Sequence, residues 1–323
     1  MKKLYLFLAV IFAFAFSLTG CNNQGGSSVN NGEYSVSYEN TQSSTEPENS
    51  SELVLGQDNS SEEGQGVSSE LKTATYTVNG VDFKMILVEA GTFTMGSDNT
   101  NVAFSESPAH KVTLTQDYLM GETEVTEALW NAVMSNGGGS NTHPKTSVTW
   151  EEAHTFVDKL TEIAREQGLI TGDMRFRLPT EAQWEFAAKG GNQSKGYLYA
   201  GGNDIDEVAV TLENSGSSSP MDVKTKLPNE LGLYDMSGNA YEWVDDYGGN
   251  YSAEDQVDPQ NTTVSRQYVK RGGSNYHNFN SESYLFTTTG RYFYGSTDWT
   301  IGLRICLYLS LIHISEPTRH LRI

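Results

Sequence analysis

The segment Pro228–Tyr247, PNELGLYDMSGNAYEWVDDY, sets the hardest constraint on any fold for this chain. Asp235, Asn239, Glu242, Asp245 and Asp246 alternate there with Leu231, Leu233, Tyr234, Met236, Tyr241 and Trp243, a density of polar groups that a simple core would avoid. Gly232 and Gly238 supply bends where side chains would clash. A loop turning at Gly238 brings the carboxylates of Asp235 and Glu242 to one side, with the backbone carbonyls of Gly238 and Ala240 pointing into the same hollow. Such an all-oxygen set suits a hard cation such as Ca²⁺, although the spacing is not that of the twelve-residue calcium loop. The same residues also read as a polar turn before a short helix capped by Asp235 or Ser237. On the residues alone both readings stand.

The N-terminus reads as an export signal. Lys2 and Lys3 precede an apolar run, Leu4 to Leu18, that is shorter than the ~20 residues a membrane span needs. The run ends in Leu18-Thr19-Gly20-Cys21, which resembles a bacterial lipoprotein signal with Cys21 as the lipidated first residue of the mature chain. An ordinary signal peptide with an incidental cysteine is the alternative. Acyl chains on Cys21 would anchor the protein to a lipid bilayer, each buried CH₂ adding about 0.8 kcal/mol. Asn22 in place of Asp favours the outer membrane or cell surface of a Gram-negative-type bacterium.

Residues 22–71 are rich in Ser, Asn, Gly, Gln and Glu and cannot bury enough apolar surface to offset their chain entropy. They read as a disordered acidic tether with a reach of roughly 40 Å. The formal charge is −20, and −22 once Lys2 and Lys3 are removed, which argues against nucleic acid as a partner. Cys306 is the only cysteine besides Cys21, so a lipidated chain has no intrachain disulfide to lean on. Leu309–Ile323 resembles a translated sequencing-adapter fragment and is set aside; a genuine extra strand is the other reading.

Residues 72–308 form the folded domain, of mixed α and β. Val81–Met95 reads as a strand pair and Lys111–Thr115 as a further strand. Glu124–Met134 reads as a short helix that Thr126 can cap and Gly137–Gly139 end. A longer helix runs from Val148 to Gly168, with a Thr149–Glu152 capping box and one apolar face of Ala153, Phe156, Val157, Leu160, Ile163 and Ala164. His154 is expected to face solvent. Thr180 and Gln183 box the next helix, whose apolar side is Trp184, Ala187 and Ala188. Tyr268–Arg271 and Ile301–Leu307 read as strands, the latter closing the fold and burying Cys306.

Six segments in order resemble the formylglycine-generating-enzyme, or sulfatase-modifying-factor, family: Phe93–Gly96, Gly121–Thr126, Arg177–Glu185, Gly232–Trp243, Arg271–Ser274 and Gly302–Arg304. The resemblance implies an irregular, C-type-lectin-like α+β fold. It also implies Ca²⁺ at Asp235, Gly238, Ala240 and Glu242. A second calcium site of the family would fall between Val208 and Asp222, where no match is found. Family enzymes oxidise a substrate cysteine with Cu(I) held by two cysteines; ungapped counting places those positions at His277 and Glu282. Cu(I) prefers thiolates, so this pair would not reproduce the site and copper is not expected.

Asn275–Trp299 has the composition of a recognition surface, where Tyr and Trp give large contacts at low entropy cost and Ser and Asn adapt their hydrogen bonds. Asn275, Tyr276, His277, Asn280, Tyr284, Tyr292 and Trp299 are the candidate ligand-binding residues, and a protein or glycan at the cell surface is the candidate partner. Some ligand-binding lipoproteins of this fold carry a similar segment ahead of a Gly-Phe/Leu-Arg strand. The expected function is therefore membrane-anchored binding without catalysis. An ordinary polar loop, or an oxidase working without the cysteine pair, are the competing readings.

Overall fold

The computed structural model describes residues 73–99, 104–135, 137 and 139–308. The export signal, Cys21, the tether and the tail from Leu309 lie outside the described residues.

The fold opens with β1 (Thr73–Val78) and β2 (Val81–Val88), an antiparallel hairpin in register from Thr73 opposite Ile86 to Val78 opposite Val81. β3 (Gly91–Met95) follows but does not pair with β2, contrary to the expected strand pair; it turns away to β4 (His110–Leu114) in another sheet. β5 (Tyr118–Gly121) returns to β2. Next come α1 (Glu127–Met134), α2 (Trp150–Glu166), β6 (Arg175–Arg177) and α3 (Glu181–Ala188). The short helices α4 (Ile205–Val208) and α5 (Leu212–Ser215) lead to β7 (Tyr241–Tyr247), β8 (Gln256–Val257) and β9 (Tyr268–Arg271). A short α6 (Phe279–Glu282) precedes β10 (Arg291–Tyr294), and β11 (Ile301–Leu303) and β12 (Cys306–Tyr308) end the described fold.

Three sheets result: β1-β2-β5-β12-β6, β10-β9-β7-β11 and β3-β4-β8. The expected single closing strand is thus divided at Arg304 and Ile305, one half entering each of the two larger sheets. In the five-stranded sheet alternate residues face opposite cores, as the period of two requires. Met85 and Leu307 join the core under α1 and α2, while Ile86 and Cys306 join the core around α3.

The helices begin where local chemistry says they should. Thr126 Oγ1 accepts from Leu129 N, and full capping boxes form at Thr149/Glu152 and Thr180/Gln183. α2 buries Ala153, Phe156, Val157, Leu160 and Ala164, and Trp130 of α1 stacks on Phe156 at 5.0 Å. His154 departs from expectation. Its ring packs on Trp150 at 3.9 Å and its Nε2 lies 3.2 Å from Asp245, because Trp150 is itself drawn inward by its Nε1 bond to the Val244 carbonyl. α3 departs further: all eight of its residues are buried, including Glu181, Gln183 and Glu185. A one-sided apolar helix was the expectation; basic partners from distant strands let both faces go inside.

Candidate functional site

The Asp235 loop is held in a conformation that few sequences allow. Asp235 (φ 58°), Gly238 (φ 85°) and Asn239 (φ 59°) all lie in the left-handed region. At Gly238 a Cβ would stand 2.3 Å from the Val210 carbonyl oxygen, so no side chain fits. Asn239 N donates to that same carbonyl, and Gly238 N donates to Gly272 O. The chain then enters β7 directly. The alternative expectation of a short helix after the turn is thereby corrected: these amides go to Val210 and Gly272 rather than to a helical turn.

The expected calcium groups are not all free. Glu242 is fully buried and both its oxygens are filled: Arg304 Nη2 donates to Oε1 at 2.7 Å, Arg304 Nε lies 3.0 Å from each oxygen, and Trp184 Nε1 donates to Oε2 at 2.6 Å. Asp235 Oδ2 accepts from Lys224 N at 2.8 Å, but its Oδ1 is buried without a partner. Glu124 stands beside it with both carboxylate oxygens buried, and the two carboxyl groups lie within side-chain hydrogen-bonding contact of each other. Burial first, and the Asp235 charge second, push the Glu124 carboxyl well above the usual range; burial likewise lifts Asp235 to about 6. Two buried carboxyls side by side, with both values lifted, either share a proton or hold a hard cation at Asp235. Glu242 instead anchors the loop to Arg304, in the break between β11 and β12. Glu124 went unnoticed in sequence because it sits inside an ordinary-looking helix lead-in, Gly121–Thr126.

Beneath the tyrosine-rich segment runs a buried ladder of alternating charge. Lys189 Nζ lies 2.6 Å from Glu185 Oε1, Arg271 Nη2 2.5 Å from Glu185 Oε2, Arg271 Nε 3.0 Å from Glu181 Oε1, and Arg291 Nε 2.7 Å from that same oxygen. Burial alone would raise Glu185, but Lys189 and Arg271 overrule it and hold the carboxyl at about 2. Arg271 also donates to the carbonyls of Thr288 and Gly290. The ladder therefore ties α3 to β9, to β10 and to the loop between them. Ser237 Oγ adds a 2.7 Å bond to Phe286 O, and Asn275 N donates to Asn239 O. The Asp235 loop and α3 thus support the segment from within.

The structure sorts the candidate ligand-binding residues. Tyr276 and Trp299 are about half exposed and meet at right angles, centroids 4.7 Å apart at 76°. Asn280 is exposed, and His277, Tyr284 and Tyr292 are half-buried. Asn275 does not belong with them: it is fully buried, its Nδ2 donating to Ser217 O at 3.1 Å. That amide holds the frame rather than meeting a ligand. Behind the corner lies Lys270, a residue that sequence reasoning missed. Its ammonium sits 3.8 Å from the Tyr241 ring centroid, 4.7 Å from that of Tyr294 and 3.5 Å from Asp298 Oδ2. Burial lowers its pKa and Asp298 partly restores it. Only an aromatic-rich strand neighbourhood, invisible before β9 and β7 pair, marks Lys270 out.

His277 and Glu282 are brought together, Nδ1 to Oε2 at 3.2 Å. Burial lowers the His277 pKa. The pair is an imidazole–carboxylate contact with no thiolate. Cys306, the only cysteine among the described residues, is buried in β12 with its thiol pushed up to about 11 by desolvation. No group of three His, Cys, Asp or Glu side chains converges as a metal cluster among the described residues.

Comparison with known proteins places this geometry. A profile of the family described as "Sulfatase-modifying factor enzyme 1-like domain" matches residues 75–307. The chain is 30% identical over 203 residues to a "Chaperone protein LppX" of Paenibacillus barcinonensis, covering 49% of this chain and 70% of the relative. It is 34% identical over 151 residues to a formylglycine-generating enzyme of Streptomyces coelicolor, covering 42% of this chain and 43% of the enzyme. Thus the match to that enzyme spans less than half of the enzyme's length. Among solved structures, "Treponema denticola variable protein 1" superposes with a TM-score of 0.63 at 28% identity, covering 73% of this chain and 99% of that one. PvdO from Pseudomonas aeruginosa shares the fold with a TM-score of 0.60 at 20% identity, over 73% of this chain and 98% of its own.

Proposed function

The chain belongs to the sulfatase-modifying-factor family, and from that premise we propose that it is a lipid-anchored binding protein of the bacterial surface rather than a formylglycine-forming oxidase. The observation that carries this reading is the Tyr276–Trp299 corner, two half-exposed rings on a segment whose backbone is fixed from below by the charge ladder and the Asp235 loop. Rigid, exposed aromatics on a buried frame give contact area without ordering cost. His277, Asn280, Tyr284 and Tyr292 extend the surface, and a protein or glycan is its ligand. The relative named a chaperone protein supports a role in holding other molecules.

The soft-metal chemistry of the family has no foothold at the two positions where it is expected. His277 and Glu282 offer nitrogen and oxygen donors where Cu(I) needs sulfur. Ca²⁺ is a structural partner in this reading. Asp235 Oδ1 with the carbonyls of Gly238 and Ala240 would hold it, Glu124 would supply the neighbouring charge, and Glu242 would anchor the loop through Arg304. Cys21 carries the lipid and the tether holds the domain away from the bilayer; no helix among the described residues is long and apolar enough to cross a membrane.

The test incubates the purified chain with copper, oxygen and a sulfatase-type cysteine peptide, following peptide mass, alongside arrays of glycans and of surface proteins. Capture on an array that falls in Trp299→Ala, with no aldehyde formed, supports binding. Aldehyde formation that is lost in His277→Ala overturns it.

A further inference from the structure

A cavity of about 500 Å³ lies among β4, the start of α3, the end of β7 and the loop that follows it. Its volume falls within the roughly 300–1,000 Å³ typical of small-molecule sites. Neither Tyr276 nor Trp299 lines it. Its wall includes His110, Glu181, Asp246 and Arg291, each at least nine-tenths buried.

The hydrogen-bonding capacity of this wall is unevenly used. Arg291 gives Nε and Nη2 to Glu181 and Nη1 to the carbonyls of Ser105 and Gly249. Glu181 also receives Arg271 Nε and the Tyr251 hydroxyl. This cluster satisfies itself and offers a ligand little net charge of either sign. Asp246 accepts one backbone N–H on each oxygen, from Glu181 and Asn261. His110 is the exception. Its Nδ1 lies 3.1 Å from the Pro108 carbonyl, which can only accept, so Nδ1 carries a proton and in the neutral ring Nε2 presents a lone pair. That Nε2 is buried and without a partner in the protein. Its ring is fixed edge-on to Tyr251 at 4.8 Å, and Tyr251 in turn lies under the Arg291 guanidinium at 3.9 Å.

We propose that this cavity is a second binding site, taking a neutral, hydroxyl-rich ligand of one or two sugar rings whose hydroxyl donates to His110 Nε2. The chemistry discriminates. An anion finds Arg291 already spent, and an organic cation finds Glu181 already neutralised. A metal finds one nitrogen and, among the described residues, no converging third ligand. A hydroxyl group both donates and accepts, matching a wall that holds an acceptor imidazole and also a carboxyl that burial, and then the Glu181 charge, lift to about 7. Met95 and Pro259 supply apolar wall for the ring carbons.

The experiment titrates the full chain, labelled with ¹⁵N-histidine, with glucose, N-acetylglucosamine and cellobiose, reading the ring nitrogens and the heat of binding. A saturable shift at His110 Nε2 with any of the three is expected. The affinity should fall about tenfold in His110→Gln, as loss of a buried hydrogen bond implies, and should be kept in Tyr276→Ala. Should His110→Gln fail to fold, Val257→Trp fills the mouth from an exposed position and should block the same shift without touching the buried wall. Absence of a saturable shift with all three sugars overturns the proposal. So does a shift produced by ethylammonium or Zn²⁺ and not by sugars. Loss of sugar binding in Tyr276→Ala overturns it too, placing the sugar on the aromatic corner; survival there, with array capture absent, leaves this site standing while the surface reading falls.

Discussion

Arg304 closes its guanidinium on the carboxylate of Glu242, Nη2 to Oε1 at 2.7 Å, with both side chains fully shielded from water. Glu242 lies on β7 and Arg304 in the break between β11 and β12. Their pairing fixes the Asp235 loop against the closing segment. Removing one partner of such a pair strands the other charge in a low dielectric, at a cost of about 3–5 kcal/mol. Arg304→Leu should therefore lower unfolding free energy by that order in urea. Arg304→Leu with Glu242→Leu should recover part of the loss. A single variant costing under about 1 kcal/mol would show the pair to be solvated.

Ca²⁺ should raise the thermal midpoint of the purified chain. A ligand binding only the folded state contributes about 2.7 kcal/mol at a hundredfold excess over its Kd. Chelator should reverse the gain, and Asp235→Asn or Glu124→Gln should remove the response. Melting curves that coincide with and without chelator would count against a cation at Asp235.

Acid should weaken the domain through Glu185. Its folded carboxyl titrates at about 2 against an ordinary 4.5, so its contribution is complete above 4.5 and is lost as pH falls towards 2. At ~1.4 kcal/mol per unit the effect is on the order of 3 kcal/mol. Asp246 acts in the opposite sense, since its raised value of about 7 makes stability decline as pH climbs from the ordinary aspartate range to neutrality. Glu185→Gln should be less stable at pH 6 and show a shallower loss between pH 4.5 and 2. An unchanged acid limb would separate Glu185 from the ladder.

Trp299→Ala and Tyr276→Ala should reduce ligand capture on the arrays while leaving the melting temperature nearly unchanged, because exposed substitutions typically cost within about 0.5 kcal/mol. Asn275→Ala should do the reverse. It is buried and bonded to Ser217, so it should destabilise by about 1–3 kcal/mol. Equal effects of all three on stability would erase the distinction between corner and frame.

Cells fed an alkyne fatty acid should label the wild-type chain and not Cys21→Ser. Equal labelling of both proteins would remove the lipid anchor from the proposed function.

The parts of the fold legible in the sequence are those whose causes are local. Thr149 with Glu152, and Thr180 with Gln183, announce helix starts because each capping box closes within three residues. The family motifs likewise lead to the Asp235 loop and to the missing cysteine pair. What stayed hidden was set by distant partners. α3 carries Glu181 and Glu185, which on the sequence belong outside; they are inside because Arg271 and Arg291 arrive 86 to 110 residues later. Lys270 gains meaning only when β9 lies against β7 and brings Tyr241 beneath its ammonium. Glu242 read as a metal ligand because Arg304, 62 residues on, was not yet beside it.

The division of the closing segment between two sheets also governs when the molecule can assemble. β12 lies between β5 and β6, inside the five-stranded sheet, while β11 pairs in parallel with β7. An interior strand is therefore the last of the described strands to emerge from the ribosome, and until it does β5 and β6 have no edge in common. Non-local closure of this kind is intrinsically slow. A stop codon anywhere before Cys306 yields a chain whose largest sheet is split in two.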